Sequence, residues 1–249
     1  MAEPSPACCA RGPVEVKSYE PKGTYVEYAG LKTYQTGPAT ATKAILLIYD
    51  IFGLYPQTIQ GADILAYADP KHEFRVFMPD WFGDGAADLA MYPPDTPEKH
   101  AYIMAYFDGP AKPEKTINQI PNLVRELKEK NPGLTDWGIM GHCWGGKVVT
   151  ILAIETSLFK AAAQCHPSLM VAEDAKNVNI PMAVLASGEE DPELMKKFAA
   201  DLKAGSFLET FHDQVHGWMA SKADFNDPRI TVEYYRGYSL LVSFFSKHV

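Results

Sequence analysis

The stretch from Trp137 to Lys147 reads Trp-Gly-Ile-Met-Gly-His-Cys-Trp-Gly-Gly-Lys, and it limits what the rest of the chain can become. A short apolar run, Gly138 to Met140, reads as a buried strand that stops at Gly141. The residues from Lys147 to Ile154 read as a helix. Strand, sharp turn and helix, with Gly141-x-Cys143-x-Gly145 at the turn, make a nucleophile-elbow pattern with cysteine where serine usually stands. The turn is so tight that only glycine fits on both sides of the nucleophile, and the strain aims the side chain out of the sheet. The free N–H groups and the dipole of the following helix favour a thiolate at Cys143. Such a turn belongs at the carboxyl end of a strand inside a mostly parallel sheet.

The flanking sequence supplies that sheet. Thr24 to Tyr28 and Leu31 to Gln35 alternate around Ala29-Gly30, as in an edge hairpin. Ala44 to Tyr49 is continuously apolar, as expected of a strand buried on both faces. Phe74 to Met78, Phe159 to Gln164, Pro181 to Ala186 and Ser206 to Phe211 read as further strands. Helices are predicted from about Pro56 to Ala68, Glu98 to Phe107, Pro113 to Lys130 and Pro192 to Lys203. A final helix is started by Asp227 as N-cap and Pro228 as first residue. Strands alternating with helices give an α/β fold with helices on both faces. Residues 1–22, rich in Pro, Ala and charge, read as an arm with little structure of its own, with surface thiols at Cys8 and Cys9. Residues 23–249 read as a single domain.

The net charge of −8 argues against nucleic acid or an anionic membrane as partner. Four cysteines in 249 residues make no disulfide framework. The first residues carry no apolar leader core, and no run approaches the roughly 20 apolar residues of a membrane span. These features predict a soluble cytoplasmic protein. No dinucleotide or phosphate-loop pattern occurs, so no cofactor and no metal is expected.

In open α/β sheets the reactive groups gather at the carboxyl ends of the strands. A thiol nucleophile needs a base, and the base needs an orienting carboxylate. Cys143, Asp191 and His216 supply the three in the chain order of an α/β-hydrolase. His216 precedes Gly217 on the loop after the last strand. Asp191, with Glu189 and Glu190 as close rivals, follows the strand before it. The backbone amides of Trp144 and Ile51 are the expected oxyanion hole. The irregular stretch from Trp81 to Pro97 has the length of a binding segment or lid. Trp81, Phe82 and Tyr92 are assigned to an apolar pocket wall, together with Trp218.

Four segments resemble the dienelactone hydrolases (carboxymethylenebutenolidases). They are Tyr49-Asp-Ile-Phe-Gly53, Pro79-Asp80, Gly141-His-Cys-Trp-Gly-Gly146, and the pair Gly188-x-x-Asp191 and His216-Gly-Trp218. The Cys8-Cys9 arm and Tyr19-Glu-Pro-Lys-Gly23 resemble the fungal and plant branch. The resemblance implies an α/β-hydrolase with a Cys143–His216–Asp191 triad that cleaves an ester or lactone through an acyl-cysteine. Its implied partner is a small-molecule ester or lactone, in a monomer or small homo-oligomer. It also implies a thiol-modulating role for Asp50, where bacterial members carry a Glu that holds the resting thiol. The two arginines with which those members bind a substrate carboxylate match positions near Asp84 and Ala220, neither of them basic; Lys222 and Arg229 are the nearby cations.

Three other uses of these residues are open to the sequence. His142-Cys143 and Cys165-His166 hold two sulfurs and two imidazoles at neighbouring strand ends, the donors of a zinc site. The fold can serve as a ligand-binding module without catalysis. An activated Cys143 can act as a redox-sensitive thiol, with Cys165 as its resolving partner.

Overall fold

The computed structural model describes residues 4–16, 19–155 and 158–249. Residues 1–3 and 17–18 of the expected arm lie outside the described residues. Eight strands form one sheet: β1 Thr24–Tyr28, β2 Leu31–Thr36, β3 Lys43–Ile48, β4 Phe74–Pro79, β5 Asp136–His142, β6 Ala161–Cys165, β7 Met182–Ser187 and β8 Phe207–Phe211. Their spatial order is β1-β2-β4-β3-β5-β6-β7-β8. The β1–β2 hairpin pairs Thr24 with Gln35, and β2 runs antiparallel to β4. From β4 to β8 every pairing is parallel, so the reactive loops emerge together at one end.

The helices are α1 Pro6–Cys9, α2 Pro56–Tyr67, α3 Pro97–Asp108, α4 Pro113–Lys130, α5 Trp144–Glu155, α6 Pro192–Ala200 and α7 Pro228–His248. Strand β5 separates them into two layers. Side chains alternate across a strand. A Cβ at Gly138 would touch Phe245 of α7, and the His142 ring reaches Tyr238 of α7. Gly141, of opposite parity, faces Gly145 of α5. Helices α5 and α7 therefore cover opposite faces, and β3 to β7 are buried between them, as their continuous apolar sequences require.

The arm departs from expectation. Ser5 caps α1 by accepting from the Cys8 amide at 3.2 Å, with Pro6 behind it at the first helical position. Residues beyond that single turn are tied to the body. Val14 donates its amide to the Ser221 carbonyl at 2.9 Å, Gln57 donates Nε2 to the Val14 carbonyl at 2.9 Å, and Arg11 pairs with Glu189 at 2.7 Å. Cys8 is buried rather than a surface thiol.

The elbow is closed by backbone contact. Cys143 has φ of 52°, a left-handed conformation costly for a side-chain-bearing residue. It is held there on three sides: its amide donates to the Cys165 carbonyl at 3.0 Å, and its carbonyl accepts from Gly146 at 3.0 Å and Ser168 at 3.1 Å. A Cβ on Gly141 would lie 2.2 Å from the Gly145 backbone, and one on Gly145 would lie 2.6 Å from the Ile48 carbonyl oxygen. At Gly146 the nearest contact would be the Gln164 side chain at 3.2 Å. Gly141→Ala is therefore expected to lower stability by about 2–3 kcal/mol through overpacking, and Gly146→Ala by less than about 1 kcal/mol. Urea denaturation midpoints measure the difference; equal midpoints would contradict the elbow geometry.

Candidate active site

The elbow lifts Cys143 to the carboxyl end of β5, at the first turn of α5. Its neighbours come from four other places. His216 lies on the loop after β8, Glu190 on the loop after β7, Asp50 and Ile51 follow β3, and Cys8 is delivered by α1. Cys143 and His216 are almost wholly buried, at 3% and 1% exposure.

His216 Nδ1 lies 2.7 Å from Glu190 Oε1, and both side chains are inaccessible to solvent. The second Glu190 oxygen accepts the Ser187 amide, and Glu189 accepts the His216 amide at 2.8 Å. This corrects the expectation for Asp191. Asp191 is exposed and is the N-cap of α6, with Oδ1 taking the amides of Glu193 at 2.9 Å and Leu194 at 3.3 Å. An N-cap carboxylate is committed to its own helix. Glu190, one residue earlier, turns inward over the end of β7. The sequence held the signal: Asp191-Pro192 is the same cap-and-proline pair that marks the helix start at Asp227-Pro228.

The Cys8 and Cys143 sulfurs are 3.1 Å apart. With a His216 ring nitrogen they form a cluster whose donor atoms all lie within 4.8 Å of one another. Hydrogen bonds with Cys143 and Cys9 hold the Cys8 thiol well below its ordinary range, outweighing burial, and His216 acts in the same direction. Burial pushes Cys143 well up, as does its hydrogen bond to Cys8. The two sulfurs thus share a hydrogen bond in which His216 favours a thiolate at Cys8 and burial opposes one at Cys143. Burial works against a charged His216, but the Cys8 thiolate and the Glu190 carboxylate raise it to about 9. The sequence offered a partial signal for this cluster, the Ser5-Pro6 helix start two residues before Cys8.

Asp50 is buried near the thiol but spends its carboxylate elsewhere. It accepts from Phe52 N at 2.9 Å, Ser221 Oγ at 2.5 Å and Ser221 N at 3.4 Å. Among the described residues it makes no hydrogen bond to Cys143; it acts on the thiol through its charge, which adds to burial and Cys8 in raising Cys143, while the side chain closes its own loop onto Ser221. Burial raises its carboxyl against these hydrogen bonds and the charge of Lys222.

The expected oxyanion-hole residues flank the elbow. Ile48 of β3 is in register with Gly141 of β5, so Ile51 and Trp144 each stand three positions beyond a paired residue. Trp144 opens α5, where amides lack intrahelical acceptors, and its indole is anchored to the Ala111 carbonyl at 2.6 Å. Neither the Ile51 nor the Trp144 amide has an acceptor among the described residues.

The aromatic assignments need correction. Trp218 is fully buried against Phe211, with ring centroids 4.3 Å apart. It is core, filling the space left by Gly237. Phe82 packs on Tyr49, Tyr106 and Trp144, and Tyr92 on Phe52. Neither Trp81 nor Phe82 lines the cleft that leads toward the site. That cleft, of about 910 Å³, is walled by Pro93, Ile103, Met104, Leu169, Met170 and Met195, with Glu190 and the arm also along its lining; Cys143 and His216 lie behind these residues and do not line it. The 81–97 stretch contributes to it through Pro93, Pro94 and Asp95.

Of the remaining cations, Lys222 is buried and donates Nζ to the Cys8 carbonyl at 2.9 Å. Arg229 is engaged at the surface by Asp213 and Glu233, Asp84 is exposed and Ala220 is buried. The donors considered for zinc are separated: His142 turns Nε2 to Tyr238 at 3.2 Å. Burial pushes the Cys165 thiol up and leaves it a neutral core residue.

A sheet in this order, with a cysteine elbow after β5 and a histidine on the loop after β8, defines an α/β-hydrolase fold. The chain belongs to the dienelactone hydrolase family, whose sequence profile matches residues 31–248. Over 248 residues it is 34% identical to an uncharacterised AIM2-family protein of Schizosaccharomyces pombe, covering 96% of this chain and 98% of that relative. It is 27% identical over 214 residues to the human carboxymethylenebutenolidase homologue, covering 81% of each. Among solved structures, the dienelactone hydrolase of Anabaena variabilis superposes with a TM-score of 0.65 at 14% identity, over 91% of this chain and 97% of that chain, a likeness of fold alone. Among the described residues no helix is long and apolar enough to cross a membrane.

Because the folded state raises the pKa of His216 to about 9, the pair with Glu190 stabilises the fold fully below about pH 6.5 and loses this contribution as pH rises through 9. Glu190→Gln is expected to cost about 2–3 kcal/mol at pH 6, with the gap to wild type narrowing above pH 9. It should also lower the His216 titration followed by NMR. Asp191→Asn, which keeps a good cap, should cost less than about 1 kcal/mol. A His216 titration moved by Asp191→Asn and not by Glu190→Gln would contradict the pairing.

Proposed function

We propose that the protein hydrolyses a carboxylic ester or lactone through an acyl-cysteine on Cys143, with His216 as general base and acid and Glu190 as the carboxylate that orients it. The observation that carries this reading is the buried 2.7 Å contact between His216 Nδ1 and Glu190, beside a thiol on a strained elbow. With Nδ1 committed to Glu190, Nε2 is the nitrogen available to the sulfur.

As Cys8 is drawn off it takes the His216 proton and leaves as a thiol; the now neutral His216 accepts the proton of Cys143, and the Cys143 thiolate attacks the acyl carbon. The carbonyl oxygen becomes an oxyanion, for which the Ile51 and Trp144 amides are the donors. Such a donor is worth about 10²–10³ in rate in other enzymes. His216 then protonates the departing alkoxide, leaving a thioester. A water gives its proton to His216 and attacks the thioester, and the acid leaves as Cys143 is restored. The cleft, mostly apolar, suits a small uncharged or weakly polar body. Lys222 does not line this cleft; it holds the Cys8 carbonyl oxygen, and once the arm is drawn off its ammonium suits a substrate carbonyl or carboxylate in that place. Its single ammonium is a point charge and lacks the bidentate fork of arginine.

Cys143→Ala is expected to abolish hydrolysis of p-nitrophenyl acetate with the melting temperature nearly unchanged; activity retained in this variant would overturn the reading. Lys222→Met should raise KM for an ester carrying a carboxylate by about tenfold or more, in line with about 1.5–3 kcal/mol for a charged hydrogen bond, and leave KM for the neutral ester within a few-fold. Equal effects on both would remove Lys222 from substrate recognition.

A further inference from the structure

The N-terminal arm is not used by the chemistry above, yet it ends on it. Its Cys8 thiol occupies the space beside Cys143 and His216 that an attacked carbonyl would need. Its Cys8 carbonyl takes the ammonium of Lys222. Its Arg11 pairs with Glu189, which itself holds the His216 amide. The arm is thus fastened to the loop of the histidine, to the loop of the acid and to the one buried cation of the site.

We infer that Cys8 and Cys143 are the two halves of a reversible disulfide that latches the arm over the active site and switches the enzyme off under oxidising conditions. The inference rests on the reading of Cys143 as the reactive thiol of the site. The sulfurs, at 3.1 Å, need about 1 Å of further approach to reach the roughly 2.05 Å of a disulfide. They are closer than the roughly 3.8 Å that two thiolates on one tetrahedral zinc would keep, so the geometry favours a bond between them over a shared metal. Cys9 is next to Cys8 and Cys165 is next to the elbow, but neither sulfur lies against Cys143 in this way.

A hydroperoxide is the oxidant this chemistry requires. The thiolate of the pair attacks one peroxide oxygen, an S–O bond forms, the O–O bond breaks, and the departing hydroxide takes a proton to become water. The second thiol then attacks the sulfenic sulfur; an S–S bond forms, and the hydroxyl leaves with the thiol proton as a second water. Two thiols lose two electrons and the peroxide gains them. A thiolate already beside its partner and an imidazolium to supply protons suit both steps. The cleft reaches Ala7 and Cys9, the chain neighbours of Cys8, and Glu190, the partner of His216; a small displacement of the arm brings so small an oxidant to the sulfurs behind them. In the reduced state the described part of the arm is held by hydrogen bonds, an ion pair and the packing of Ala7 and Cys8, all of them non-covalent contacts that substrate can displace. In the oxidised state it is held covalently, and Cys143 has no thiol to react.

The test treats the full chain with hydrogen peroxide, blocks remaining thiols with iodoacetamide and maps tryptic peptides without reduction. Cys8 and Cys9 fall on peptide 1–11, Cys143 on 131–147 and Cys165 on 161–176. The expected result is a link between 1–11 and 131–147 that appears in step with loss of p-nitrophenyl acetate hydrolysis, both reversed by dithiothreitol. Cys9→Ser should keep the link. Cys8→Ser should lose it, and peroxide should then carry Cys143 to a sulfinic acid that dithiothreitol does not reverse. A link from 131–147 to 161–176, a link that survives Cys8→Ser, or a wild-type Cys143 that goes directly to sulfinic acid would overturn the latch. Protein that forms the Cys8–Cys143 link but never hydrolyses the ester supports the latch and contradicts the proposed hydrolase. Protein that hydrolyses the ester without ever forming the link does the reverse.

Discussion

The left-handed backbone at Cys143, with φ of 52°, is a conformation the chain would not adopt alone. It exists because three hydrogen bonds from β6, α5 and the loop after β6 fix both peptide groups of the residue, and because glycines at 141 and 145 let strand and helix touch through their backbones. Everything that makes the site reactive follows from that turn. It sets the thiol above the sheet edge and puts the first amide of α5 beside it. It also places the sulfur where the loops after β3, β7 and β8 converge. The strain is sustained by the core around it, to which β3, β5, β6 and β7 contribute mostly buried side chains.

Burial is the second condition. Cys143, His216, Glu190, Asp50 and Lys222 are all nearly inaccessible, and charged groups persist there only when paired. The pairings are few and specific: His216 with Glu190, Asp50 with Ser221 and the Phe52 amide, Lys222 with the Cys8 carbonyl. Cys8 belongs to this set. Without a sulfur or a substrate in that position, His216 would keep only Glu190 of the two groups that raise it. The arm is therefore part of the electrostatics of the resting site, and any substrate must replace it.

Much of this was legible in the sequence, because elbow, strands and helix starts are local patterns. The continuous apolar runs at 44–49 and 181–186 read as buried strands, and Gly141-x-Cys143-x-Gly145 read as a tight turn because an apolar strand precedes it and a helix follows. The order of nucleophile, acid loop and histidine loop was legible for the same reason. The identity of the acid was not, since Glu189, Glu190 and Asp191 differ only in which way the loop turns. The proline at 192 commits Asp191 to its helix and was the clue. Trp218 was misplaced because a residue two positions beyond His216 can still be core; only the packing against Phe211 and Gly237 decides it. Cys8 was nearly invisible: the Ser5-Pro6 helix start marks a turn there, but nothing local marks a partner. Its partner lies 135 residues away, and no local pattern encodes a contact of that range.

The most direct test of the account is to quench the reduced protein with acid during turnover of p-nitrophenyl acetate and locate the acetyl group by peptide mapping. The account predicts a transient acetyl thioester on Cys143 that rises with the first turnover and disappears as substrate is exhausted. An acetyl group that tracks turnover on Cys8, or on any residue other than Cys143, would contradict it.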